Sequence, residues 1–178
     1  VESRTAVDNI DDIIRMSDGI MVARGDLGVE VPAEEVPALQ KMVIRKCQQA
    51  GKPVVTATQM LESMMNNPRP TRAETSDIAN AILDGTDGIM LSGETAGGMY
   101  PVEAVETMAR VAVYTESQFD PVTHQDTGKD VLSTTEAIGR ATVRIAESLG
   151  AAAIIASTEG GNTAQMISKY RPKSPIIA

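Results

Sequence analysis

A chain of 178 residues is long enough to bury one good core, or one domain and part of a second. Its formal charge of −8 argues against non-specific binding to nucleic acid or to an anionic membrane, yet leaves room for a locally positive phosphate site. Aromatic residues make up only 2%, so the core must be Val, Ile, Leu, Met and Ala, and the single cysteine excludes a disulfide framework.

Val1-Glu2-Ser3-Arg4 has neither an initiator Met nor a leader, and the chain reads as a piece cut from something longer. No apolar run reaches the ~18 residues of a membrane span, and a reduced cytoplasmic setting is the expectation. Residues 5–16 predict a helix with Val7, Ile10, Ile13 and Ile14 on one stripe. The apolar run 19–23 predicts a strand of a parallel sheet, buried on both faces. It ends at Arg24-Gly-Asp-Leu-Gly28, which delivers the Asp26 carboxylate to an edge. A hard carboxylate flanked by glycines suits Mg²⁺ and an anionic substrate; on its own, the string is equally a solvated Asp in a glycine turn. Residues 32–50 predict a long helix stopped by Gly51, with Cys47 beside Val43 and Ile44 as a small buried hydrophobe.

Residues 52–58 predict the next strand and 59–65 a short helix, halted by Asn66-Asn-Pro-Arg-Pro70. Thr71-Arg-Ala-Glu74 is a capping box for a helix running to 83, stopped at Asp84-Gly85. A strand at 88–91 and a helix at 101–118 come next. Strand–helix alternation means a parallel α/β sheet with right-handed crossovers. Glu2, Asp26, Thr58 and Ser92 close successive strands and are spaced at about 30 residues, the length of one βαβ unit, so one rim presents all four. Residues 119–131 are polar and read as a linker, and His124 within it has no Ser or Cys arranged around it as a nucleophile. Beyond it, Ser133-Thr-Thr-Glu136 is a second capping box for a helix to 149, then come a strand at 151–156, a Gly-rich turn at 157–163, a helix to 170 and a strand from 175. This second region reads as the start of a doubly wound unit.

Several long strings resemble the pyruvate kinase family. They are Val1-Glu-Ser-Arg4, Met21-Val-Ala-Arg-Gly-Asp-Leu-Gly-Val-Glu30, Gly51-Lys-Pro-Val-Val-Thr-Ala-Thr-Gln-Met-Leu-Glu-Ser63, Asn67-Pro-Arg-Pro-Thr-Arg-Ala-Glu74 and Ile89-Met-Leu-Ser-Gly-Glu-Thr-Ala96. Lys169-Tyr-Arg-Pro-Lys173 extends the likeness into the second region. The resemblance implies an α/β fold: the C-terminal part of a (β/α)8 barrel over 1–118, then the beginning of a doubly wound C-terminal domain over 132–178. It implies phosphoryl transfer from phosphoenolpyruvate to ADP, giving pyruvate and ATP. By motif it places Glu2 and Asp26 on Mg²⁺ (or Mn²⁺), and Ala23, Gly25 and Asp26 at the substrate carboxylate. Thr58 falls near the carbon that is protonated as the enolate becomes pyruvate; a hydroxyl orders a water there rather than serving as the acid. Arg72 falls at the large interface of a homotetramer. The loop Ser157, Thr158, Gly160, Gly161, Asn162 and Thr163 resembles an effector phosphate loop. For Ser92 and Glu94, capping or turn chemistry competes with a proton relay.

The match also departs from the family. A catalytic lysine belongs two residues ahead of Glu2, before Val1, and the groups that hold nucleotide and K⁺ belong to earlier strands. Gly97 follows Ala96 where some members have Lys, which counts against nucleotide contacts from that loop. Glu159 stands where some have Lys, so the expectation is weak or no sugar-bisphosphate binding. The segment alone is expected to be inactive. Other readings are a non-catalytic half-barrel or regulatory module, and a different Mg²⁺-dependent pyruvate or phosphoenolpyruvate barrel; the 67–74 and 89–96 strings disfavour the last.

Overall fold

In a computed structural model describing residues 1–118 and 132–178, the chain divides into two compact units, Val1–Pro121 and Val122–Ala178. The expected linker at 119–131 and His124 lie outside the described residues.

The first unit opens with α1 (Arg4–Asp8), capped by the Ser3 side chain, which accepts from the Ala6 N–H. The helix expected over 5–16 breaks at Asn9, and α2 (Ile10–Met16) succeeds it. Both still place the predicted stripe inward, with Val7, Ile10 and Ile14 buried. Strand β1 (Ile20–Ala23) leads directly into α3 (Arg24–Glu30). Next come a 3₁₀ turn at Ala33–Glu35 and α4 (Val36–Ala50). Strand β2 (Val54–Ala57), a 3₁₀ turn at Glu62–Met65 and α5 (Arg72–Asp84) come after these. The unit ends with β3 (Gly88–Met90), α6 (Gly93–Ala96) and α7 (Pro101–Gln118). Two helices stop where the sequence places glycine: Gly51 and Gly85 adopt φ of 68° and 92°, which a Cβ would strain.

The three strands pair in parallel in the order β1-β2-β3. Alternation along each strand sends Ile20, Val22 and Val54 into a core with Val43, Ile44 and Cys47 from α4. Met21 points to the opposite face and is 43% exposed, so β1 is not buried on both faces as expected. A second core gathers Met60, Leu61 and Met64 with Ile78 and Ala81 of α5 and Ala104 and Met108 of α7.

The second unit holds α8 (Thr134–Leu149), β4 (Ile154–Ile155), α9 (Asn162–Ser168) and β5 (Ile176–Ile177), with β4 and β5 parallel. Ser133 and Glu136 close the predicted capping box. Glu136 also accepts from Lys169 Nζ at 2.8 Å, and its carbonyl accepts from the Tyr170 hydroxyl at 3.1 Å. These contacts tie the ends of α8 and α9 together over a core of Val143, Ala146, Ile154 and Ile167.

Candidate active site

Strand register builds the rim. Ala23 pairs with Ala57, and Ala57 with Met90, so the three strands end side by side. Residues 24–26, 58–59 and 91–92 come directly after the three strand ends and share one edge. On the other side of β1, the Ala23 N–H donates to the Val1 carbonyl at 3.1 Å and the Val1 nitrogen donates to the Met21 carbonyl at 2.5 Å. That places Glu2 on the same edge. Strand register thus sets Glu2, Asp26, Thr58 and Ser92 along one edge of the sheet.

Glu2 and Asp26 are both exposed, and neither carboxylate bonds or ion-pairs with another described residue. Among the described residues no group of three or more His, Cys, Asp or Glu gathers for a metal. Two uncommitted carboxylates suit a hard cation that takes its remaining oxygens from water and substrate, as Mg²⁺ does, rather than an all-protein cage. Asp26 sits in the first turn of α3, where a helix leaves its N–H groups without partners inside the helix.

Thr58 joins β2 to this turn. Its hydroxyl accepts from the Gly25 N–H at 2.8 Å and donates to the Ala57 carbonyl at 2.6 Å. The Gly25 N–H, expected at a substrate carboxylate, is therefore already engaged. Thr58 and Gln59 both adopt left-handed backbone, φ 67° and 55°, although neither is glycine. For a β-branched residue this is a strained conformation that its surroundings must enforce.

Both carbonyls of this pair are bound by Arg24, which sequence reasoning passed over. Its guanidinium is buried, donating to the Thr58 carbonyl from Nε at 3.2 Å and from Nη2 at 2.7 Å, and to the Gln59 carbonyl at 3.0 Å. Nη1 pairs with Asp77 of α5 at 2.5 Å and reaches Gln40 of α4 at 3.5 Å. Gln40 in turn donates to Asp84, which also pairs with Lys41. An open cleft of about 420 Å³ lies beside this cluster, lined by Arg24, Gly25, Val29, Pro37, Gln59 and Asp77.

Two other carboxylates hold the rim's loops. Glu94 is 3% exposed and accepts from the Leu61 N–H at 3.0 Å and the Ser92 N–H at 2.9 Å. It clamps the loops after β2 and β3, which favours the turn-chemistry alternative. Glu74 caps α5 through Thr71 and reaches Ser63, accepting from its N–H at 2.7 Å and its hydroxyl at 2.6 Å. Partial burial alone would raise the Glu74 pKa, but these donors together hold it below the usual carboxylate value. Burial pushes the Cys47 thiol up to about 12, consistent with a core side chain rather than a nucleophile.

The remaining expected residues lie apart from this cluster. Arg72 is the exposed first residue of α5. In the second unit Ser157, Gly160, Asn162 and Thr163 are exposed, Thr158 and Gly161 half-buried, and no side chain caps α9. Exposed Glu159 adds negative charge to that loop.

A parallel βαβ succession with polar residues along the strands' C-terminal edge is the arrangement found in (β/α) barrel proteins, which carry their sites on that edge. The family model "Pyruvate kinase, barrel domain" matches residues 1–105, and "Pyruvate kinase, alpha/beta domain" matches 136–178. The chain belongs to the pyruvate kinase family. Pyruvate kinase of Sporosarcina psychrophila is 60% identical over 187 residues, covering 100% of this chain and 31% of that protein. Pyruvate kinase of Clostridium acetobutylicum is 58% identical over 180 residues, covering 100% and 38%. The crystal structure of a pyruvate kinase from Cryptosporidium parvum superposes with a TM-score of 0.90 at 52% identity, covering 99% of this chain and 36% of that one. The chain thus spans about a third of the length of these relatives.

Proposed function

We propose that this chain supplies the metal-binding and enolate-facing part of the rim of an enzyme that moves the phosphoryl group of phosphoenolpyruvate to ADP. The observation that carries this reading is the pair of uncommitted carboxylates, Glu2 and Asp26, on the edge that also presents Thr58. Glu2 and Asp26 would hold Mg²⁺ or Mn²⁺, which would supply positive charge to stabilise the enolate. Ala23, Gly25 and the Asp26 N–H orient the substrate carboxylate at the start of α3; because Thr58 already occupies the Gly25 N–H, that role requires the hydroxyl to turn away on binding. A freed Thr58 hydroxyl then orders the water that protonates the enolate carbon.

K⁺, the nucleotide and the catalytic lysine belong to parts of the enzyme outside this chain, so the segment alone is inactive. Residues 1–118 are the C-terminal part of the barrel and 132–178 the first part of the regulatory domain. Exposed Met21 on the face opposite the helices supports further strands closing over it. Arg72 faces a neighbouring subunit of a homotetramer. The 157–163 loop, with Glu159 in it, binds a sugar bisphosphate weakly or not at all. No helix among the described residues is long and apolar enough to cross a membrane, and the net charge of −8 speaks against nucleic acid; a cytoplasmic enzyme fits both. Titration of the full-length enzyme with Mn²⁺ tests the metal site: Asp26→Ala and Glu2→Gln each weaken binding at least about tenfold, and unchanged binding in either refutes its place.

A further inference from the structure

We infer that Arg24 is a positioning residue: its buried guanidinium, braced by Asp77, holds Thr58 in a left-handed backbone so that the hydroxyl stands at the rim. The inference rests on the proposed place of Thr58 beside the enolate carbon. Three hydrogen bonds from one side chain converge on two consecutive carbonyls, those of Thr58 and Gln59. Those are the two residues with φ of 67° and 55°. Neither has the freedom of glycine, and such strain persists only where neighbours over-determine it. The guanidinium can do this because it is itself fixed, at 6% exposure, by Asp77 on α5 and Gln40 on α4. A lysine at this position has no planar fork: its three donors radiate from one nitrogen and do not reproduce bonds made from three separate nitrogens.

The Arg24 donors go to Thr58, Gln59, Asp77 and Gln40, so its loss is expected on the step that uses Thr58. In the first step the bond from phosphorus to the enol oxygen breaks and one to the ADP oxygen forms. In the second, the enolate carbon's electron pair takes a proton from solvent and the oxygen becomes a carbonyl. Only the second uses Thr58. The test compares wild type, Arg24→Lys and Asp77→Asn in the full-length enzyme, with two readouts. One is single-turnover ATP formation from phosphoenolpyruvate and ADP. The other is deuterium uptake from D₂O into the methyl group of pyruvate, which breaks one C–H bond and makes one C–D bond per event.

Arg24→Lys is expected to slow exchange by about tenfold to a hundredfold, with ATP formation and the KM for phosphoenolpyruvate each changing less than about threefold. Asp77→Asn, which leaves the three carbonyl bonds in place, gives the same pattern at about threefold to tenfold. It decides the matter if Arg24→Lys does not fold. Equal losses in both readouts, or none in exchange, overturn the positioning role. A wild-type enzyme that neither forms ATP nor exchanges overturns the proposed function, and the inference with it.

Discussion

Removing Glu94 is the sharpest test of how the rim is held. Its carboxylate is 3% exposed and each oxygen accepts one backbone N–H, from Leu61 at 3.0 Å and from Ser92 at 2.9 Å. Glu94→Ala strands the Leu61 N–H in a buried site, while the N–H of exposed Ser92 can turn to water. A hydrogen bond to a charged partner contributes about 1.5–3 kcal/mol, and orphaning the buried Leu61 donor forfeits it. That is a sizeable share of the roughly 5–15 kcal/mol by which a folded domain is stable. At a urea slope of about 2 kcal/mol/M, the unfolding midpoint falls by about 0.75–1.5 M. Because the chain has two units, bulk unfolding should be paired with amide exchange at Leu61 and Ser92, where protection drops selectively. A midpoint shift below about 0.5 M, or unchanged protection at Leu61, would refute the clamp.

The same network of contacts carries other consequences. The folded pKa of Glu74 lies below its unfolded value, so its contribution is full above about pH 4.5 and fades as pH falls through the folded pKa. Glu74→Gln should therefore cost on the order of 1 kcal/mol at pH 7 and close to nothing near pH 2, measured by urea unfolding at both; a gap that widens in acid contradicts this. Cys47, fully buried with its thiol pushed up to about 12, should resist maleimide in the native state and label promptly in guanidinium, as read by peptide mass spectrometry. In the second unit, Glu136→Ala removes the α8 capping box and the ion pair to Lys169, whose side chains are 11% and 4% exposed, and should cost about 3–5 kcal/mol. A loss under about 1 kcal/mol by thermal unfolding would show that Lys169 finds equal solvation elsewhere.

The order of elements was legible because local signals set it. Capping boxes at Thr71 and Ser133 and glycine stops at Gly51, Gly85 and Gly150 act within a few residues, and the structure places each helix between them. Local reading fails where distant packing decides. Arg24–Glu30 holds two glycines and reads as a turn, yet it is a helix because Leu27 drives it, 0% exposed, into the core under β1. Period-2 alternation was hidden in the all-apolar β1, so exposed Met21 was not foreseen.

Site residues divide in the same way. Strand-end spacing brings Glu2, Asp26, Thr58 and Ser92 to one edge, since each βαβ unit returns the chain to the same side of the sheet. The roles of Arg24 and Glu94 depend on partners more than thirty residues away, Thr58 at 34 and Leu61 at 33, which no local pattern encodes. An arginine placed directly after an apolar strand, ahead of a glycine, was the one available sign of a buried guanidinium. Nothing in the sequence announces a threonine at φ 67°.

The most direct test is pyruvate formation from phosphoenolpyruvate and ADP, with Mg²⁺ and K⁺, by the full-length enzyme carrying this segment and by its Asp26→Ala variant. The account predicts an active wild type, a loss of about 10³-fold or more in the variant, and silence from the 178-residue segment alone. An inactive wild type, or an Asp26→Ala enzyme within about tenfold of it, would contradict the place given to Asp26 at the metal.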